Sequence, residues 1–129
     1  MIINEIKATG TLSVVLKDSE GNTKEERQIK NLVVTSGLTY IASRMKDATA
    51  TAMGYMAIGT GTTAAAAGNT ALVTELDRNA VTSVTATGAS IAYITTWAAG
   101  DGTGAITEAG IFNATSAGDM LARTVFSVV

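Results

Sequence analysis

The 129-residue sequence contains no cysteine, no histidine and no proline. Without cysteine it has no disulfides, thiolate nucleophiles or sulfur ligands, and without histidine it has no imidazole base and almost no route to a zinc or haem site. Charge is scarce too: Asp, Glu, Lys and Arg supply 16 % of the residues, against about 25 % in an average soluble domain. Nine basic and eleven acidic side chains leave a formal net charge of −2, so the basic footprint of a nucleic-acid binder is missing. No apolar run approaches the ~18 residues of a membrane span, and Met1-Ile2-Ile3-Asn4-Glu5 lacks the pattern of a signal peptide. These absences argue against an enzyme, a metal or cofactor, a nucleic-acid partner and a membrane partner. They favour a soluble interaction or structural protein.

What the chain has instead is small and neutral: 22 Ala, 21 Thr and 13 Gly. Its charges are segregated, with thirteen of the twenty in residues 1–47, none from Ala48 to Thr74 and none from Asn79 to Gly100. Disorder does not explain this, because 47 % of the residues are hydrophobic and disordered chains are poor in apolar side chains and rich in charge. Short side chains lose little rotamer entropy on burial, and charge is depleted at the centre of protein interfaces. The pattern predicts a chain that assembles, with itself as a dimer or trimer or with a larger structure.

Periodicity predicts a single mainly β domain over residues 1–129, with an apolar N-terminal arm (residues 1–8). Thr11–Lys17 alternates as a half-buried strand, Asp18–Asn22 is a turn, and Thr23–Val34 is a polar return strand with its apolar residues at the end. The charged far end of this hairpin reads as a protected edge. Thr35–Lys46 is the one convincing helix, capped by Thr35 or Ser36, with Leu38, Ile41, Ala42 and Met45 as a core-packing stripe. Met53–Gly59 is a short buried strand, Thr60–Asn69 an uncharged loop, and Thr70–Leu76 a single helical turn. Arg78–Thr87 and Ser90–Ala98 form two antiparallel strands through Gly88. Ala105–Ala114 and Met120–Val129 form a closing hairpin. Many short strands and one helix predict an antiparallel β-sandwich or jelly-roll-like domain.

Motifs that would carry chemistry fall short. Ile58-Gly59-Thr60-Gly61-Thr62-Thr63 lacks the Gly-Lys-Ser/Thr ending of a phosphate loop and the third glycine of a dinucleotide fingerprint. Gly100–Gly104 offers one carboxylate, Asp101, too few for calcium. Glu75, Asp77, Asp101, Glu108 and Asp119 show no spacing that would make two of them converge. Glu108 reads as a partly buried carboxylate paired with Arg78 or Arg123, and Trp97 as a core or interface anchor. Ser36-Gly37 has no base and is not a nucleophile elbow.

Five phrases, taken in order, resemble small virion proteins of tailed bacteriophages. They are Asn31-Leu32-Val33-Val34-Thr35-Ser36-Gly37-Leu38; Met56-Ala57-Ile58-Gly59-Thr60-Gly61-Thr62-Thr63; Thr70-Ala71-Leu72 with Glu75 and Arg78; Ile106-Thr107-Glu108-Ala109-Gly110-Ile111-Phe112-Asn113; and Met120-Leu121-Ala122-Arg123-Thr124-Val125-Phe126. Two groups share such phrasing: capsid decoration or cement proteins, and the modules that begin tail-fibre, collar and baseplate chains. The sequence stops at Val129 without a fibre shaft or receptor-binding tip, which favours the decoration protein; an accessory β-rich protein-binding module is the plainer alternative. The resemblance implies a protein made in the host cytoplasm and placed on the outer capsid surface, with the major capsid protein as partner, or tail proteins in the other reading. Expected contact residues are Ile2, Ile3 and Ile6 of the arm, Thr62 and Thr63 of the uncharged loop, Trp97, and Phe126, Val128 and Val129 at the C-terminal end.

Overall fold

The computed structural model describes residues 1–129. Eight strands and one helix follow in the order β1 (Gly10–Lys17), β2 (Thr23–Val33), α1 (Thr35–Asp47), β3 (Tyr55–Gly59), β4 (Glu75–Ala80), β5 (Ser83–Thr87), β6 (Ser90–Ile94), β7 (Glu108–Phe112) and β8 (Met120–Val125). The domain is mainly β and antiparallel with one helix, as its periodicity predicts. Six strands form one curled sheet in the order β1-β2-β8-β7-β3-β4, while β5 and β6 stand apart as a two-stranded ribbon. The C-terminal hairpin β7–β8 therefore lies in the middle of the sheet.

The core is small: 16 of 129 residues are buried. Val34, Ala57, Leu72, Phe112 and Met120 form its centre, with Tyr55 packed alongside. These residues come from β3, β7 and β8 and from the segments that cross them. The β1–β2 hairpin stays in register from Gly10↔Asn31 to Leu16↔Glu25, but β2 meets β8 only at Leu32 and Val33. Most of the hairpin thus extends past the body of the sheet. Arg27 ties it back by donating to the carbonyls of Ser127 (2.5 Å) and Val128 (3.0 Å).

The helix differs from expectation at both ends. Its N-cap is Val34, without a side-chain cap. Thr35 N–H instead donates to Ala67 O (2.8 Å), and the Ser36 hydroxyl donates to Met120 O (3.2 Å). Of the backbone donors at this end, Val34 N–H bonds Leu121 O of β8 (3.2 Å) and Thr35 N–H bonds the loop carbonyl of Ala67, so capping is tertiary. Gly37 sits against the Leu121 backbone, where a Cβ would collide with the carbonyl oxygen. The predicted stripe packs only in part: Leu38 and Ile41 are half-buried, but Ala42 is exposed and Met45 is 67 % exposed. The outer end of the stripe instead borders an open groove with Ile2 and Ile6.

Two further segments depart from expectation. Thr70–Leu76 forms no helical turn; its Val73 and Thr74 N–H groups donate to a side-chain carboxylate rather than to carbonyls four residues back. Arg78–Thr87 is two strands rather than one. Val81 N–H still bonds to Gly54 O beside β3, whereas Thr82 N–H bonds to Ile94 O of the ribbon. The chain changes partner between these residues.

Candidate interaction surface

The uncharged stretch after β3 is held by a buried ion pair. Glu108, the first residue of β7, is fully buried, and so is Arg123 of β8 (1 % exposed). Glu108 Oε1 accepts from Arg123 Nε (3.1 Å) and Val73 N–H (2.9 Å), while Oε2 accepts from Gly61 N–H (2.6 Å) and Thr74 N–H (2.8 Å). Arg123 spends its other donors on Asn69 Oδ1 (3.0 Å) and Thr63 O (2.9 Å). The Thr107 hydroxyl donates to Gly61 O (2.7 Å). One carboxylate and one guanidinium therefore fasten a loop running from Gly61 to Thr74.

Burial alone would raise the Glu108 pKa, but the N–H groups of Thr74, Val73 and Gly61, together with Arg123, outweigh it and hold the carboxyl below its ordinary value. An ionised carboxylate with all its acceptor capacity in use is a structural group. Its two oxygens are committed to the loop and to Arg123.

A second clamp lies nearby. Arg78 binds Glu75 through Nη2 (2.6 Å) and Nε (3.1 Å), donates to the carbonyls of Ala114 and Ala117 (2.9 Å each), and rests over the Phe112 ring at 3.8 Å. Of the two partners expected for Glu108, the structure selects Arg123; Arg78 fixes the β7–β8 turn instead. Beyond residue 48 these pairs absorb four of the seven charges, leaving Asp77, Asp101 and Asp119. No group of three or more acidic side chains comes together.

The expected contact residues lie in separate places. Ile2 and Ile3 are 88 % and 79 % exposed, and Ile6 is half-buried. Thr62 and Thr63 are exposed at the start of the clamped loop, with the Thr63 carbonyl turned inward to Arg123. Trp97 is half-buried, with its ring edge facing Gly102, and its indole N–H meets no acceptor. Strand β8 ends at Val125, short of the expected Val129. Past it, Phe126 and Val129 are half-buried and Val128 exposed, held by bonds from Phe126 N–H to Thr107 O and from Val129 N–H to Ile106 O.

Strand alternation in the sequence did not single out the β5–β6 ribbon as exposed. Val84, Ile91 and Ile94 are each at least half-exposed there, and the ribbon carries no charge. Its alternation looks like that of a half-buried strand; the missing signal is a partner segment in the same chain. The whole molecule exposes 7997 Å², whereas a compact monomer of this mass exposes about 6,400 Å². No helix is long and apolar enough to cross a membrane. Comparison of the chain with protein-family models, curated proteins and solved structures yields no match.

Proposed function

We propose that this protein is a non-enzymatic decoration protein of a tailed-bacteriophage capsid, bound to the outer shell and bridging neighbouring copies of the major capsid protein. The observation that carries the reading is the rigid, charge-free loop from Gly61 to Thr74, clamped from beneath by Glu108 and Arg123 and presenting Thr and Ala outward. A preorganised surface of short side chains loses little entropy when covered. Gly61, Thr63, Thr107, Glu108 and Arg123 of the clamp fall within the phrases through which the sequence resembles virion proteins.

Cementing needs no chemistry. A subunit touching two capsid proteins adds avidity, and its binding free energy favours the closed shell over separated subunits by mass action. The N-terminal arm, with Ile2 and Ile3 exposed, can add to a neighbour's sheet edge as an extended segment.

The test compares particles with and without the protein. Its removal lowers the temperature at which capsids rupture and leaves adsorption to host cells intact, and deleting residues 1–6 lowers capsid occupancy. Capsids of unchanged strength with impaired adsorption or tail assembly would move the protein to the tail.

A further inference from the structure

Between α1 and the clamped loop lies an open cleft of about 530 Å³, and we propose that it binds a neutral sugar. The proposal does not depend on the virion reading. Thr35, Ser36, Thr39, Tyr40 and Ser43 occupy one face of the helix and together form one wall of the cleft. All five side chains carry a hydroxyl and none a charge. Ser, Thr and Tyr are weaker helix formers than the Ala, Glu, Lys and Arg that suit a solvent-facing helix surface. Such a breach of local propensity is expected at functional sites. Capping does not account for it, because the N-cap is Val34, without a side-chain bond.

The hydroxyls are positioned but not used up. Ser36 donates to Met120 O (3.2 Å) and keeps lone pairs to accept. Tyr40 accepts from Met53 N–H (3.1 Å) and keeps its proton to donate. Thr39 donates to Thr35 O (3.1 Å), while the Thr35 and Ser43 hydroxyls have no protein partner. The opposite wall is fixed to this one by the bond from Thr35 N–H to Ala67 O (2.8 Å), and it adds the free hydroxyl of Thr70. Asp119 supplies the single charge. Asn113 pins it, donating through Nδ2 to Oδ2 (3.3 Å) and accepting from its N–H (2.8 Å), so Oδ1 stays open. Hydroxyls and one carboxylate beside an aromatic ring match a pyranose, which offers adjacent hydroxyls at its edge and C–H groups on its faces. Other ligand classes fit worse. An anion meets Asp119 and no lysine or arginine, a cation finds one carboxylate, and an apolar ligand finds Ala50 and Ala67 as the only aliphatic side chains.

Titration of the full chain, followed by amide chemical shifts, tests the site. The probes are D-glucose, D-galactose, D-mannose and N-acetyl-D-glucosamine, each as the free sugar and as its methyl glycoside. At least one should saturate at millimolar concentration, with shifts confined to α1, the loop from Ala67 to Thr70 and Asp119. A methyl glycoside that binds makes the end residue of a glycan the source, whereas binding of the free sugar alone makes it a reducing monosaccharide. The 6-phosphate of the sugar that binds should bind more weakly, because its charge faces Asp119. Ser43→Ala and Asp119→Asn should each weaken binding about three- to tenfold, the contribution of one hydrogen bond, while Thr85→Ala on the ribbon leaves it unchanged. Ser43→Ala exchanges a hydroxyl without a protein partner for the best helix former, so a merely structural residue there would keep or raise the melting temperature and leave the titration unmoved. No saturation with any of these sugars, shifts scattered outside the cleft, a 6-phosphate bound as tightly as its sugar, or wild-type binding by both cleft variants would each overturn the proposal.

Discussion

Gly61 and Glu108 are fitted to each other. The backbone N–H of Gly61 donates to Glu108 Oε2 at 2.6 Å, and a Cβ at position 61 would collide with that same oxygen and with Val73 Cβ. The glycine is required by close approach rather than by turn geometry. Its neighbour Gly59 is under a similar constraint, facing Thr74 O and the Glu108 carboxylate. The Gly-Thr-Gly phrase that invites a phosphate-loop reading is the imprint of a protein carboxylate.

Substituting Gly61→Ala therefore forces the loop away from Glu108. We expect a loss of about 2–3 kcal/mol, in the range of overpacking at a buried site. Urea denaturation with a fixed m-value measures it, while Gly68→Ala, where nothing lies within 4 Å of the added methyl, serves as a neutral control.

Removing one member of the ion pair leaves the other buried and uncompensated. Glu108→Gln and Arg123→Met should each cost about 3–5 kcal/mol. The double variant should cost less than the two combined, because the residues touch. A strictly additive result in a double-mutant cycle would show that the 3.1 Å contact contributes no coupling.

Acid should release the same clamp. The Glu108 carboxyl is held below the ordinary glutamate value in the folded chain, so the unfolded state takes up the proton first. The stabilisation it supplies is complete above about pH 4.5 and is lost as the pH falls through the lower folded value. Urea midpoints measured from neutral to acidic pH should fall in that range for the wild type. Glu108→Gln should show a shallower fall.

Arg78→Lys keeps the charge but loses the bidentate grip on Glu75 and the planar stack on Phe112. The carbonyls of Ala114 and Ala117 lose a shared donor. The global cost should be about 1–2 kcal/mol, with faster amide exchange confined to the β7–β8 turn.

Local alternation made most strands legible, and the β1–β2 turn could be read from Gly21, which takes a φ of 84°; the Asp18 carboxylate adds bonds from Glu20 and Asn22 N–H at 2.9 Å. Glu108 could be read as a paired structural carboxylate because it sits among apolar strand residues with few cations left in the chain. What could not be read depended on partners distant in sequence. Val73 and Thr74 are extended because Glu108 takes their N–H groups, and the helix needs no Ser or Thr cap because Leu121 and Ala67 accept the N–H groups of Val34 and Thr35. Ala42 and Met45 follow helical spacing as a core residue would, but the body of the domain ends before it reaches them.

The strand order also constrains how the chain can be made. Synthesis delivers β1–β2 first and β3–β4 next, yet these hairpins do not touch in the sheet; β8 and β7, translated last, lie between them. Without β7 and β8 the two hairpins have no strand to join them, and Phe112 and Met120 are missing from the core. Vectorial folding, domain by domain, is closed to it. The sheet closes only once β7 and β8 are available, and chains ending before β7 should remain sensitive to protease along their whole length.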